Sequence, residues 1–297
     1  MKPLKIALIG LDTSHSIEFP RRMQAPDCKP EMKVAGLEAV SCLSFMTPFT
    51  DAGILQKRRE QLEQWGVRVT DDFDEAVADC DAIMIEINDP ALHLDYFTRC
   101  VSLRKPIFLD KPLADTYENG KQIVALAEKH KIPVMSASSL RFSADLIKSC
   151  QAVPNPDQTT VFGPLGIPAA GEGIIWYGVH CFEMLQRAMG HGALRIDARR
   201  DASGVVTIVE YPDRRRGIVA LTEGAYTYGG TVRKKDQVQS FVVDNAMIYT
   251  EELRLIHDFF RYGTAPLTLQ DSLAVMQLLD AAVTSSRSGE PVMLDSY

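Results

Sequence analysis

The sequence predicts an α/β protein of two domains: a doubly wound parallel sheet, then a compact α/β domain built on an open, mainly antiparallel sheet. Three observations predict it. The chain has 297 residues, enough for two cores at the roughly 150 residues of an average domain. From Leu4 to about Ser136, short β-branched or apolar runs alternate with amphipathic stretches of helical length, the pattern of successive βαβ units. Beyond about Leu146 a Pro- and Gly-rich stretch leads into runs of period two, as expected of antiparallel strands with one covered face. The division therefore falls near residue 145, giving domains 1–145 and 146–297, with the C-terminal helix free to pack back on the first.

Within the first domain, residues 5–10, 33–38, 67–70, 82–87, 106–109 and 133–136 read as strands. Residues 51–65, 72–79, 90–103 and 116–131 carry helix-period apolar positions, and Asp72, Pro90 and Thr116 stand where helices start. Residues 41–51 fit neither period and are expected to be an irregular loop. In the second domain, residues 151–173 hold Pro154, Pro156, Gly163, Pro164 and Gly166 among others, which suggests a junction or an ordered loop over a site. Strands follow at 194–200, 205–210, 217–222, 225–233 and 237–243, with PDRRRG at 212–217 as a solvated hairpin tip. Helices at 251–262 and 270–288 close the chain.

Composition excludes several classes of function. Hydrophobic residues at 46% and charged residues at 24% are those of an ordinary globular protein. The net charge is −7 and neither half is basic, so nucleic acid and anionic membrane are poor partners. No stretch approaches the roughly 20 apolar residues of a membrane span, and the short apolar run at the N-terminus reads as a strand instead of a signal peptide. The six cysteines lack CxxC spacing, so reduced thiols, a cytoplasmic setting and no metal site are expected.

Residues 6–16 read IALIGLDTSHS: a buried strand, Gly10, then a helix capped by Thr13 or Ser14. A dinucleotide-binding fold puts G-x-G-x-x-G here, for a tight turn, close approach of backbone to pyrophosphate, and close helix packing. The first glycine is kept as Gly10; the second position is Asp12 and the third His15. A carboxylate about 4 Å from a phosphate charge costs on the order of 4 kcal/mol at an effective dielectric of about 20. The helix N-terminus still offers amide donors, and a protonated His15 would partly offset Asp12. Two readings stay open: Asp12 caps the helix while His15 bonds locally, or the Asp-Thr-Ser-His turn touches a ligand held mainly by its ribose and ring ends. Glu38, at the end of the second predicted strand, could accept hydrogen bonds from an adenosine ribose, which would favour NAD over NADP.

Residues 107–113 read IFLDKPL, a hydrophobic strand ending in Asp110, Lys111 and Pro112. A lysine at the carboxyl end of a parallel strand lies in the crevice where such sheets bind ligands, and proline fixes the turn that aims it. Here the sequence resembles the glucose-fructose oxidoreductase, inositol dehydrogenase and MocA (Gfo/Idh/MocA) family, whose members carry Glu-Lys-Pro at the end of the fifth strand. Asp110 in place of Glu is a mild departure. Residues 71–93 resemble the family's third helix, fourth strand and following turn, so that Asn88, Pro90 and His93 would border the nicotinamide. Residues 138–142 (SSLRF) resemble its Asn-x-Arg-Phe segment, which makes Arg141 a candidate substrate contact, and residues 266–294 resemble its C-terminal helix.

The family's second domain carries Asp-x-Gly-x-His-x-x-Asp, matched here from Trp176 to Glu183 with Gly178 and His180 retained. The resemblance implies a Rossmann-like first domain and an NAD(P)-dependent oxidoreductase acting on a hydroxyl of a sugar, polyol or related small molecule. It makes His180 the acid/base and Lys111 the group that orients the substrate oxygen. Trp176 replaces the acid that would hold the imidazole; Glu183 or Tyr177 could substitute, or Trp176 could stack on a sugar or nicotinamide ring. It also implies a homo-oligomer, dimer or tetramer, because the family buries the open sheet face between subunits. Two other readings compete: a small-molecule binding relative without dinucleotide turnover, motivated by Asp12, His15 and Trp176, and a redox-neutral lyase or glycosidase using tightly held NAD.

Overall fold

A computed structural model describes residues 2–294. The first half runs β1 (Leu4–Ile9), α1 (His15–Gln24), β2 (Leu37–Leu43), α2 (Ala52–Gln64), β3 (Arg68–Thr70), α3 (Phe73–Val77), β4 (Ala82–Ile85), α4 (His93–Val101), β5 (Ile107–Leu109), α5 (Tyr117–His130) and β6 (Val134–Met135). Then come α6 (Ala144–Ala152), β7 (Gln158–Pro164), α7 (Gly173–Trp176), α8 (Val179–Met189), β8 (Arg195–Arg200), β9 (Gly204–Glu210), β10 (Arg216–Thr222), β11 (Gly229–Lys234) and β12 (Gln237–Val242). The chain closes with α9 (Ile248–Tyr262), α10 (Leu269–Ser288) and β13 (Val292–Met293).

β1 to β6 form a parallel sheet in the order β3-β2-β1-β4-β5-β6, the doubly wound order that reverses between β1 and β4. Its centre is apolar on both faces: Ile6, Leu8, Ile9, Ile83, Ile85, Phe108 and Leu109 are all 0% exposed. Each such side chain contributes about 1.5–3 kcal/mol by leaving water. Side-chain oxygens start the flanking helices where expected, Asp51 accepting from Ile54 N (2.8 Å), Asp72 from Glu75 N (2.9 Å) and Thr116 from Asn119 N (3.2 Å). α1 differs, because neither Thr13 nor Ser14 caps it: Ser14 occupies the N-cap position without a side-chain bond.

Two strands depart from the expectation. Only Leu37 and Glu38 of the run 33–38 belong to β2; a 3-10 turn at Pro30–Met32 and a turn at Gly36 precede a strand that begins at Leu37 and extends into the supposed irregular loop. β7 lies inside the Pro- and Gly-rich segment that reads as a loop. Gly163 is needed there for packing, since a Cβ would lie 2.6 Å from the Tyr228 ring and 2.7 Å from Cys181 Sγ. β7 joins the second sheet, of order β12-β11-β7-β10-β9-β8-β13. The β7–β10 pair is parallel and the remaining pairs are antiparallel. α8 lies against β7 and β10, while Phe162, Val206 and Ile208 on the strands, with Val238 and Val242 on β12, remain exposed.

The chain divides into two units, the first running to Ser136 and including Tyr249–Leu269, the second comprising Ala137–Ile248 and the chain from Gln270. The break thus falls at Ser136 instead of near 145, and the returning helix is α9, not the C-terminal one. Inside the first unit α9 is tied by Arg22 Nε to Thr250 Oγ1 (3.1 Å) and by Arg261 to the Lys2 and Gly36 carbonyls (3.0 and 3.2 Å). Among the described residues, no helix is long and apolar enough to cross a membrane.

Candidate functional site

In the first unit the strand order reverses between β1 and β4, so the crevice that such sheets offer to ligands opens at Gly10 to Asp12 and at Glu86 to Asn88. Gly10 has φ +105°, and a Cβ there would lie 2.5 Å from the Glu86 carbonyl oxygen, so close approach of β4 by itself requires glycine. Asp12 is 2% exposed. Its Oδ1 accepts from Asn88 N (2.9 Å) and its Oδ2 from the Thr47 hydroxyl (2.7 Å), so it ties the ends of β1 and β4 to the loop after β2. Asp12 is therefore a staple between strand ends and not a helix cap. Burial pushes its carboxyl pKa up against the opposing effect of these two bonds. Arg58 of α2 donates to the Leu11 carbonyl (2.8 Å); burial lowers its pKa while the Asp12 charge opposes the shift.

Glu38 is placed elsewhere. It is exposed, second residue of β2 and paired with Lys5, at the amino end of the sheet. The carboxyl end of β2 presents Leu43, Ser44 and Phe45, so the acid that favoured NAD over NADP does not stand where a ribose would be read. Thr13 accepts from His15 N (3.3 Å) and remains within the turn.

Beneath the turn, His15 Nδ1 lies 2.8 Å from Asp110 Oδ2 and 4.0 Å from Glu86 Oε2. Asp110 and Glu86 are 1% and 0% exposed. Burial, then the charges of Asp110 and Glu252, raise the Glu86 pKa well above the carboxylate range, with Lys111 opposing. Burial acts the same way on Asp110 but is outweighed by His15 and Lys111, which bring it to about 2. Tyr249 of α9 closes the far side, its ring centroid 4.9 Å from that of His15. Lys111, at the carboxyl end of β5, is 8% exposed and forms no salt bridge among the described residues.

His93 is not available to border a ring. It is 0% exposed, with Nδ1 2.8 Å from the Pro112 carbonyl and Nε2 2.8 Å from the Ile87 carbonyl, clamping the turns after β4 and β5 together. Pro90 opens the 3-10 turn before α4, which Asp89 caps. Asn88 gives its backbone N–H to Asp12.

In the second unit His180 is the second residue of α8 and is 8% exposed. Its Nδ1 lies 2.6 Å from Ser138 Oγ, which also accepts from Leu140 N (3.2 Å). The rings of Tyr177 and Tyr228 stand edge-on to it at 5.9 and 5.4 Å. Ser138 opens the SSLRF segment, in which the residue pattern singled out Arg141 alone. Glu183 does not reach the imidazole: buried, it pairs with Arg141 Nη1 (2.9 Å) and with the Ser138 backbone N–H. Burial raises its pKa against both partners. Arg141, itself 4% exposed, is thereby committed to Glu183 and to Asp271 (3.9 Å), so both expected substrate contacts instead hold the segment that presents Ser138. Trp176 and Tyr177, with ring centroids 4.5 Å apart, line a cleft of about 360 Å³ together with Ile167, Glu223 and Tyr226.

Residues 49–138 match the GFO_IDH_MocA family, described as "Oxidoreductase family, NAD-binding Rossmann fold". GenD2 from gentamicin A biosynthesis, solved in complex with NAD, has a similar fold at TM-score 0.79 and 15% identity, over 100% of this chain and 97% of that one. Myo-inositol 2-dehydrogenase from Lactobacillus plantarum gives 0.79 and 13%, over 99% and 100%. An oxidoreductase from Agrobacterium radiobacter in complex with NAD+, L-tartaric acid and magnesium gives 0.75 and 15%, over 98% of each chain. At these identities the likeness is one of fold.

Proposed function

We propose that this chain, whose residues 49–138 match the NAD-binding Rossmann fold of the Gfo/Idh/MocA oxidoreductase family, is an NAD(P)-dependent oxidoreductase acting on a hydroxyl-bearing carbon of a sugar, polyol or related small molecule. The observation that carries the reading is Lys111, an ammonium at the carboxyl end of β5 with no salt bridge among the described residues. In this reading Lys111 orients and polarises the substrate oxygen. The nicotinamide, when bound, supplies the hydride acceptor.

His180 takes the hydroxyl proton at Nε2. For that its Nδ1 must keep a proton, and Ser138 Oγ at 2.6 Å is the acceptor that holds it there. Ser138 thus does by a neutral hydroxyl what a carboxylate at the Trp176 position would do with charge: it fixes the tautomer and ring plane. The aromatic walls of the Trp176–Tyr177–Tyr226 cleft suit the C–H faces of a sugar ring, and Glu223 can accept from its hydroxyls.

The β1–α1 turn fits a dinucleotide with one reservation built into its chemistry. The uncapped amides of α1 and the Arg58 guanidinium favour a diphosphate, and the Asp12 carboxylate opposes it. That opposition favours a second reading, a small-molecule binding relative without dinucleotide turnover. Calorimetric titration with NAD(H) and NADP(H), with assay of the purified protein for retained cofactor, separates them. Binding in the micromolar range supports the oxidoreductase; no binding at millimolar concentration overturns it. With a panel of polyols and sugars as substrates, Lys111→Ala and His180→Ala each lower turnover by orders of magnitude without loss of fold, and unchanged rates would remove their roles.

A further inference from the structure

We propose that His15, Glu86 and Asp110 form a binding site for one first-row divalent cation of the zinc class, beneath the first glycine turn. One ligand atom from each lies within 4.8 Å of the others, and all three residues are buried. These are the donor types, one imidazole nitrogen and two carboxylate oxygens, that zinc and its neighbours take.

Hydrogen bonding within the protein does not account for the arrangement. Both carboxylate oxygens of Glu86, Oδ1 of Asp110 and Nδ1 of His15 are inaccessible and have no hydrogen-bond partner. His15 Nδ1 lies 2.8 Å from Asp110 Oδ2, a close ion-pair contact that helps hold the Asp110 carboxyl down and leaves Glu86 without a partner. Buried polar atoms are nearly always partnered, so four within one small buried cluster call for a partner. A cation shared by one donor atom from each residue would supply that partner.

Charge balance agrees. A divalent ion between two carboxylates and a neutral imidazole is electroneutral, and of the other nearby charges Glu252 and Lys111 have opposite sign. The three residues come from the start of α1 and the carboxyl ends of β4 and β5, so a rigid sheet fixes their spacing. His15 stands at the third glycine position of the turn, where a small residue would serve close helix packing.

The test uses the full-length protein. After dialysis against chelator and then against zinc, elemental analysis is expected to show about one zinc per chain, with a higher melting temperature. The Glu86→Gln and His15→Asn variants are expected to lose that zinc. Cobalt(II) is expected to give d–d absorption without thiolate charge transfer, which separates this site from the six cysteines. Because the wild-type measurements stand alone, a variant that fails to fold does not rescue or sink the idea. Zinc well below one equivalent with no change in melting temperature at millimolar metal would overturn it. So would zinc retained in both folded variants, or a thiolate band with cobalt. Dinucleotide titration is read separately, so failure here leaves the proposed function standing.

Discussion

Replacing Asp12 by Asn separates two roles that the wild-type carboxylate combines. As a staple, Asp12 accepts from Asn88 N at 2.9 Å and from the Thr47 hydroxyl at 2.7 Å. As a charge, it stands where a diphosphate would approach the turn. Asparagine keeps an acceptor for the Asn88 N–H and can donate to Thr47 Oγ1, so the loss is that of charge assistance, about 1 kcal/mol, partly offset by easier burial. The removed repulsion is larger. About 4 kcal/mol per charge pair at contact falls, with distance and salt, to about 1.5–3 kcal/mol, or roughly 10- to 150-fold in affinity. Calorimetry should therefore show NAD(H) binding tightened by at least tenfold at a nearly unchanged melting temperature. Asp12→Ala should behave differently, losing both bonds and about 2–4 kcal/mol of stability, several degrees in a domain of this size. If Asp12→Asn folds normally and binds no more tightly than wild type, the diphosphate does not pass Asp12 and the electrostatic argument is wrong.

Two further predictions concern the second unit. Ser138→Ala should lower kcat about 10- to 100-fold with little change in KM and alter the tautomer populations of the His180 ring in nitrogen NMR, while Ser138→Thr, which retains the hydroxyl, should recover most of the rate; an unchanged ring signature would show that Ser138 is merely a neighbour. We also propose that a second copy of the chain covers the exposed Phe162, Val206 and Ile208 face. Ile208→Glu should then shift the mass in light scattering from oligomer to monomer, and a wild-type monomer would refute it.

The first sheet was legible because its strands are short buried runs separated by helices whose caps, Asp51, Asp72 and Thr116, can be read singly. β2 was placed four residues too early, because apolar spacing across 33–38 mimics a strand while the backbone spends residues 33–36 on the approach and turn before it. That single slip moved Glu38 from the ligand edge of the sheet to its opposite end and removed the reason for preferring NAD. β7 was hidden for a different cause: its glycine is required by Tyr228 and Cys181, partners far away in sequence. Lys111 and His180 could be picked out because each sits inside a short motif. Ser138 and Glu86 could not, since their importance lies in what the fold brings against them. Arg141 and Glu183 were singled out separately, as a substrate contact and as a substitute for the acid lost at Trp176, and only the structure shows that each answers the other.

The split composition of the first unit bears on how the chain is made. Residues Tyr249–Leu269 complete that unit, yet they leave the ribosome more than a hundred residues after Ser136. At about 5–20 residues per second the nascent Rossmann sheet waits roughly 6–22 s for α9. Until then the Arg22 guanidinium lacks Thr250, and the His15 ring lacks the cover of Tyr249. Vectorial synthesis thus delivers the Ala137–Ile248 part of the second unit before the first is finished. A fragment ending near residue 145 corresponds to no folding unit of this protein, and one that spares α9 while excising the intervening segment is the better minimal form of the first unit.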